Sequence, residues 1–143
     1  MQNDYAGRRR HLRAARFSQE DNDMKEPIRR GKVFYATLDP ILGSEQGGER
    51  PVLIIQADRN HLSSPTTIIA PITCQYKTGS EDTHVYLNHH ALDWRSIALL
   101  EQIRTIDKQR LGRYVGNVSG RTMRAVEQAI HISLGLKQHE EAT

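Results

Sequence analysis

The chain has little cysteine, few aromatics and no long apolar run. A single cysteine among 143 residues, Cys74, excludes an internal disulfide. That absence predicts a protein of a reducing compartment, the cytoplasm. Apolar runs such as Val52-Leu53-Ile54-Ile55 fall far short of the ~18 residues that span a bilayer, so no membrane role is expected. Arg8-Arg9-Arg10 resembles the start of a secretory leader, but Ser18-Gln19-Glu20-Asp21 stands where the apolar segment should follow, so no export is expected either. There is no phosphate-binding glycine loop, no CxxC and no helical pair of histidines four apart, so neither a metal nor a cofactor is expected. His89 and His90 are adjacent in a turn region. Neighbouring residues there should point different ways, which argues against joint metal ligation.

Apolar side chains make up 37% and aromatics 6% of the chain, which predicts one domain with a modest core. The balance of 20 Lys+Arg against 17 Asp+Glu, +3, is ordinary and only weakly favours a polyanionic partner. Its distribution says more. The first 27 residues contain no Val, Ile or Thr, and five arginines between Arg8 and Arg16 are followed by Glu20, Asp21, Asp23 and Glu26. Nothing there can nucleate a packed core, so residues 1–27 read as a flexible extension and 28–143 as the folded domain. The extension is either a basic arm that contacts nucleic acid or a stretch ahead of a true start at Met24. Five arginines and four carboxylates precede Met24, so the remainder carries +2.

From Gly31 onward the pattern favours strands. Val33–Leu38 is aromatic and β-branched and is stopped by Asp39-Pro40. Pro51–Gln56 is continuously apolar, the mark of a strand buried on both faces. Thr66–Thr73 is a third strand, with Pro71 restricting it to an edge or a bulge. Thr83–Leu87 and Ile97–Ile106 are further strands, and Asp107–Leu111 a helical turn. Ser119 is placed to cap a last helix in which Met123, Val126, Ile130 and Leu134 recur at helical spacing, with Arg121, Arg124, Glu127 and Gln128 outward. The whole describes an α+β domain, a small curled or barrel-like antiparallel sheet with a C-terminal helix.

Two segments carry chemistry. In Gly43-Ser44-Glu45-Gln46-Gly47-Gly48-Glu49-Arg50-Pro51 the paired glycines let backbone approach a ligand, and Pro51 biases Arg50 toward an extended conformation. An arginine at such a rim suits bidentate phosphate recognition. A hairpin loop with a surface arginine fits equally well, and the chemistry alone leaves both open. In Ala70-Pro71-Ile72-Thr73-Cys74, alternation turns Ile68, Ala70 and Ile72 to one face and the Thr73 hydroxyl to the other. Cys74 lacks a placed histidine and is weak as a nucleophile. His84 opens a strand, where a single structural hydrogen bond is its commoner use.

These segments, together with Arg30-Gly31-Lys32-Val33-Phe34 and Leu99-Leu100-Glu101-Gln102-Ile103-Arg104-Thr105-Ile106-Asp107-Lys108, resemble in order and spacing the MazF/PemK family of toxin endoribonucleases. The resemblance runs over residues 30–136. It implies an SH3-like barrel of the CcdB/MazF type and metal-independent cleavage of single-stranded RNA at short sequences, leaving 2′,3′-cyclic phosphate and 5′-hydroxyl ends. It implies Arg50 and Thr73 as the catalytic pair, with Ser44, Glu45, Gln46, Gly47, Gly48, Pro51 and Gln102 along the RNA. Arg50 is better suited to stabilising charge than to moving protons, because a guanidinium holds its proton; Glu45 and His84 are outside candidates for a base. If Ile97–Ile106 is a strand, Gln102 shares a face with Arg104 and can read a base edge, while Glu101 on the other face makes a structural pair. The resemblance further implies a homodimer and an antitoxin with a flexible, acidic tail. Cys74, where serine is common, and Glu49 beside the arginine depart from the pattern, and Gln75–Asp82, which helps set the recognised sequence, is idiosyncratic. The rival reading is a CcdB-like toxin that docks on DNA gyrase without catalysis; the joint presence of Arg50 and Thr73 favours the nuclease.

Overall fold

The computed structural model describes residues 26–60, 63–74, 81–93 and 95–137. Most of the proposed 1–27 extension and most of the 75–82 loop lie outside them. Seven strands form one antiparallel sheet: β1 (Lys32–Thr37), β2 (Glu49–Ile54), β3 (Thr66–Thr73), β4 (His84–Tyr86), β5 (Ile97–Leu99), β6 (Arg104–Asp107) and β7 (Leu111–Asn117). One helix among the described residues, α1 (Gly120–Leu134), follows. The strand order is β4-β5-β3-β2-β1-β7, with β6 paired to β3 off that path.

β3 organises the sheet because it is long enough to serve three partners. Its residues 69–71 pair with β2, its first half pairs Thr66–Ile69 with β6, and its last two residues pair with β5. Pro71 falls between the β6 and β5 pairings, so the proline occupies an interruption in one ladder of an otherwise central strand, where its missing N–H does least harm.

Alternation along β1 and β2 feeds two cores, one on each face of the sheet. Val33, Leu53, Ile55, Ala70 and Ile72 join the helix residues Met123, Val126 and Ala129. Phe34, Ala36, Leu38, Val52, Ile54 and Ile69 join Ile106 and Leu111 inside the curl. The continuous apolar run of β2 is thus explained by burial on both faces, each large side chain contributing about 1.5–3 kcal/mol.

Ser119 caps α1 by accepting from the Thr122 N–H. The buried stripe is Met123, Val126 and Ala129, with Ile130 only partly buried and Leu134 53% exposed, so the apolar face ends a turn earlier than the 123-126-130-134 spacing predicts. At that level Ser133 instead donates to the Leu100 carbonyl at 2.9 Å. Arg121, Arg124, Glu127 and Gln128 are exposed, as expected.

Two further expectations are corrected. Ile97–Ile106 is not one strand. A 3-10 turn at Leu100–Gln102 divides it into β5 and β6, letting the chain pass from one end of β3 to the other. The strand β7, with Gly112 and Gly116 inside it, has no counterpart in the sequence reading and closes the sheet against β1 with two register irregularities. The helical turn before it is present at Lys108–Arg110.

Candidate nuclease site

The site lies where β2 leaves its loop and β3 ends. Residues 38–48 connect β1 to β2, and their fold is set by hydrogen bonds to the backbone. Leu38 N–H donates to the Gly48 carbonyl (2.9 Å), and the Gly48 N–H donates to Asp39 Oδ1 (3.0 Å). Gly48 has φ +76°, in the left-handed region where glycine is favoured. A Cβ on Gly47 would stand 2.7 Å from Asp39 Oδ1 and from Ile41 Cδ1. The turn thus favours glycine at 48, and a side chain at 47 would have to displace the Asp39 and Ile41 side chains. Arg110 donates to the Thr37 and Asp39 carbonyls, and Arg104 to the Leu38 carbonyl at 3.1 Å. These two arginines, which the sequence reading gave no role, clamp the loop at its root.

Arg50 is held from two sides. Its Nε donates to the Gly47 carbonyl at 2.7 Å and an Nη to the Ile72 carbonyl at 3.4 Å. Those bonds leave further guanidinium donors for a ligand, since the fork carries five N–H groups. Burial lowers the Arg50 pKa from its ordinary value, and the neighbouring Cys74 and Asp39 oppose that shift. Arg50, Pro51, Ile72, Thr73 and Cys74 line one cleft of about 370 Å³, together with Tyr35, Glu49 and a wall formed by Ala91, Leu92, Asp93 and Ser96. Thr73 ends β3 opposite Ile97 and is 8% exposed, buried yet on the cleft wall.

A second cleft of about 440 Å³ includes Pro71, the residue before Ile72 on β3. Ser44, Glu45, Gln46 and Gln102 line it with Leu42, Pro71, Glu101, Ile103 and Arg104. The Gln46 N–H donates to Gln102 Oε1 at 2.8 Å, tying the loop to the 3-10 turn. The predicted residues thus sort into two groups, Arg50, Thr73 and Pro51 in one cleft and Ser44, Glu45, Gln46 and Gln102 in the other. Gly47 and Gly48 line neither cleft but lie in the chain between Gln46 of one and Arg50 of the other.

The expected face assignment for Gln102 is corrected. Because Leu100–Gln102 is a 3-10 turn and not strand, Glu101 and Gln102 both reach the second cleft. Glu101 does make the expected pair, its Oε2 standing 2.5 Å from His84 Nε2. His84 is buried there, and Glu45 accepts from the Leu42 N–H at 2.7 Å. Neither lines the Arg50 cleft, where the carboxylates are Glu49 and Asp93. The imidazoles of His89 and His90 stack with centroids 4.4 Å apart and do not diverge as expected.

Tyr35 was also missed. Its ring lies beneath the Arg113 guanidinium of β7, 5.1 Å from centroid to Cζ, a cation–π contact at the cleft edge. Arg113 was hidden because β7 itself was unrecognised, while Tyr35 was legible only as strand polarity.

Residues 29–134 match the family described as PemK-like, MazF-like toxin of type II toxin-antitoxin system. The chain belongs to that family. It is 46% identical over 111 residues to Endoribonuclease EndoA of Bacillus subtilis, covering 76% of this chain and 96% of that protein. Over the same length it is 49% identical to Endoribonuclease MazF of Staphylococcus saprophyticus, covering 76% and 92%. Among solved structures, a mycobacterial endoribonuclease in complex with its cognate antitoxin superposes with a TM-score of 0.63 at 25% identity, covering 78% of this chain and 98% of that one. MazF of Deinococcus radiodurans superposes at 0.68 with 20% identity over 78% and 99%, a likeness of fold. The curled α+β architecture inferred from the sequence is the architecture of these toxins, and the gyrase-docking alternative is not favoured. No helix among the described residues is long and apolar enough to cross a membrane.

Proposed function

We propose that this toxin is an endoribonuclease that cleaves single-stranded RNA in the Arg50 cleft without a metal. The observation that carries the proposal is the pinning of Arg50 by the Gly47 and Ile72 carbonyls at the mouth of a cleft it shares with Thr73. In the reaction the ribose 2′-oxygen attacks the adjacent phosphorus, the P–O5′ bond breaks, and the ends are a 2′,3′-cyclic phosphate and a 5′-hydroxyl. Charge builds on the nonbridging oxygens as the phosphorane forms. The preset guanidinium neutralises it and the Thr73 hydroxyl donates to one oxygen. Burial of Arg50 strengthens that attraction by excluding water. The 2′-OH proton passes to a base in the cleft, for which Glu49 and Asp93 are the carboxylates in place, and the departing 5′-oxygen takes up a proton.

Ser44, Glu45, Gln46 and Gln102 hold the flanking nucleotides in the second cleft. Gln102 Oε1 is engaged by Gln46, so its amide NH2 is the group left to donate to a base acceptor. The protein works in the cytoplasm as a homodimer, and an antitoxin with a flexible acidic tail silences it by occupying the two clefts. Residues 28–143 form the toxin domain, and 1–27 an extension to it.

Incubation of the purified protein with a long RNA in excess EDTA tests the reading. Discrete fragments bearing 2′,3′-cyclic phosphates are expected from the wild type and none from Arg50→Ala. Absence of cleavage, or unimpaired cleavage by Arg50→Ala, overturns it. A CcdB-like docking toxin would instead arrest growth with RNA intact, even as the Arg50→Ala/Thr73→Ala double variant.

A further inference from the structure

Ala91, Leu92, Asp93 and Ser96, from the segment between β4 and β5, line part of the Arg50 cleft. The segment is closed at its base by Leu87 N–H donating to the Ser96 carbonyl at 3.0 Å, and internally by Ser96 N–H to the Asp93 carbonyl and Arg95 N–H to Asp93 Oδ1, both at 2.9 Å. Its leading edge is built by His89. The Ala91 N–H donates to His89 Nδ1 at 3.0 Å, and the Leu92 N–H to the His89 carbonyl at 3.0 Å. The first of these is the side-chain-to-backbone bond, two residues on, with which Asn and Asp make turns. Here an imidazole supplies it, and only in the tautomer with its proton on Nε2.

The same ring meets the sheet. Its Nε2 and Cε1 edge faces Gly116 of β7 so closely that a Cβ at that position would lie 2.5 and 2.6 Å from those atoms. Its face is stacked on His90. Gly116 pairs with Val33 of β1, two residues along the strand from Tyr35, which also lines the cleft. A single ring therefore links the wall residues Ala91, Leu92 and Asp93 to the β1–β7 end of the sheet, and the space for it exists because β7 carries glycine at 116.

We propose that His89 is a positioning residue that sets the width of the Arg50 cleft, and through it the choice of nucleotide held between Tyr35 and Asp93 beside the scissile phosphate. The proposal rests on the RNA-cleaving reading above. Arg50 is pinned by the loop and β3 and Thr73 sits in the ladder with β5, so a shifted wall changes substrate binding and leaves the chemical step largely as it was. That separation predicts a change in KM and in cleavage preference, not in kcat.

The test uses the full chain and four variants: His89→Ala, His89→Asn, Gly116→Ala and the His89→Ala/Gly116→Ala pair. Each is measured for kcat, KM and cleavage position on a set of short oligoribonucleotides differing at the nucleotides flanking the cut. His89→Ala is expected to raise KM about tenfold, the worth of one hydrogen bond with its packing, to relax preference at that nucleotide, and to leave kcat within about threefold. His89→Asn retains the turn bond through Oδ1 and should recover most of the loss. Gly116→Ala should resemble His89→Ala, and the double variant should be no worse than either single one, because without the ring the added methyl meets nothing. Wild-type KM and preference in His89→Ala overturn the proposal, as does a His89→Asn variant impaired as severely as His89→Ala.

A second measurement does not depend on cleavage. Hydrogen exchange at the Ala91 amide, whose N–H is bonded to His89 Nδ1, should accelerate in His89→Ala and remain near wild type in His89→Asn. Acceleration in a protein that cuts no RNA would uphold the wall and overturn the nuclease reading. Unchanged exchange in His89→Ala overturns the wall even if RNA is cut.

Discussion

The Arg50 cleft takes its floor from β2 and β3, whereas the Gln46 cleft takes much of its lining from the 38–48 loop and the Leu100–Gln102 turn. In the first, Thr73 is placed by the sheet ladder, and Arg50 by β2 together with two carbonyl acceptors. In the second, Gln46 is placed by a side-chain bond to Gln102, and the loop root by Arg104 and Arg110. On the proposed function, the groups that would meet a transition state are held by the sheet, where a displacement of about 1 Å is costly in rate. The groups that would read sequence sit mostly on a loop, where substitution can change specificity without disturbing the core. Pro71 lines one cleft and Ile72 the other, so consecutive residues of β3 contribute to both.

That contrast can be broken at several points. The largest expected effect is Arg50→Ala, with kcat reduced on the order of 10³-fold or more and little change in thermal stability; single-turnover cleavage with a folded control measures both. Thr73→Val, which keeps the β-branched shape and removes the donor, should lower kcat about 10²-fold. If KM rises in place of that loss, Thr73 binds and does not stabilise charge. Leu53→Ala, in the helix-covered core, should lower unfolding free energy by about 2–5 kcal/mol while sparing the chemistry of the remaining folded fraction, as read by denaturant titration. Gln102→Ala releases Gln46 and should raise KM about tenfold with kcat nearly unchanged. An equal fall in kcat would erase the division between the clefts. The smallest effect is deletion of 1–23, which removes five arginines. If the arm touches RNA, binding weakens and the salt slope flattens by about 0.7 per lost phosphate contact. Unchanged binding leaves it an extension.

Much of the domain was legible because it rests on local rules. The apolar run of β2, the aromatic and β-branched β1 and the Ser119 cap each depend on near neighbours in the chain. Arg50 and Thr73 were singled out through their motifs, and the same resemblance named Ser44, Glu45, Gln46, Gly47, Gly48, Pro51 and Gln102 as one RNA-binding set without dividing it. The misreadings share a cause. Ile97–Ile106 is β-prone throughout, yet β3 offers two separate edges and the chain must turn to use both. Leu134 has the right helical spacing but lies past the end of the sheet it was expected to cover, and is exposed. β7 contains Gly112 and Gly116, which depress strand propensity; pairing with β1 supplies what its own side chains do not. With β7 unseen, the Arg113–Tyr35 contact and the His89–Gly116 fit were also out of reach.

By itself the sequence determined the strand-rich α+β class, the buried strand, the helix start and the residue types available for phosphate chemistry. All of these follow from periodicity, capping and side-chain chemistry within a few residues. The tertiary structure alone decided that the predicted RNA residues divide between two clefts, that Arg104 and Arg110 hold the loop, and that His89, beside the residues lining the Arg50 cleft, packs against a glycine of β7. Those are contacts between residues 22 to 73 apart in the chain, and no local pattern encodes them.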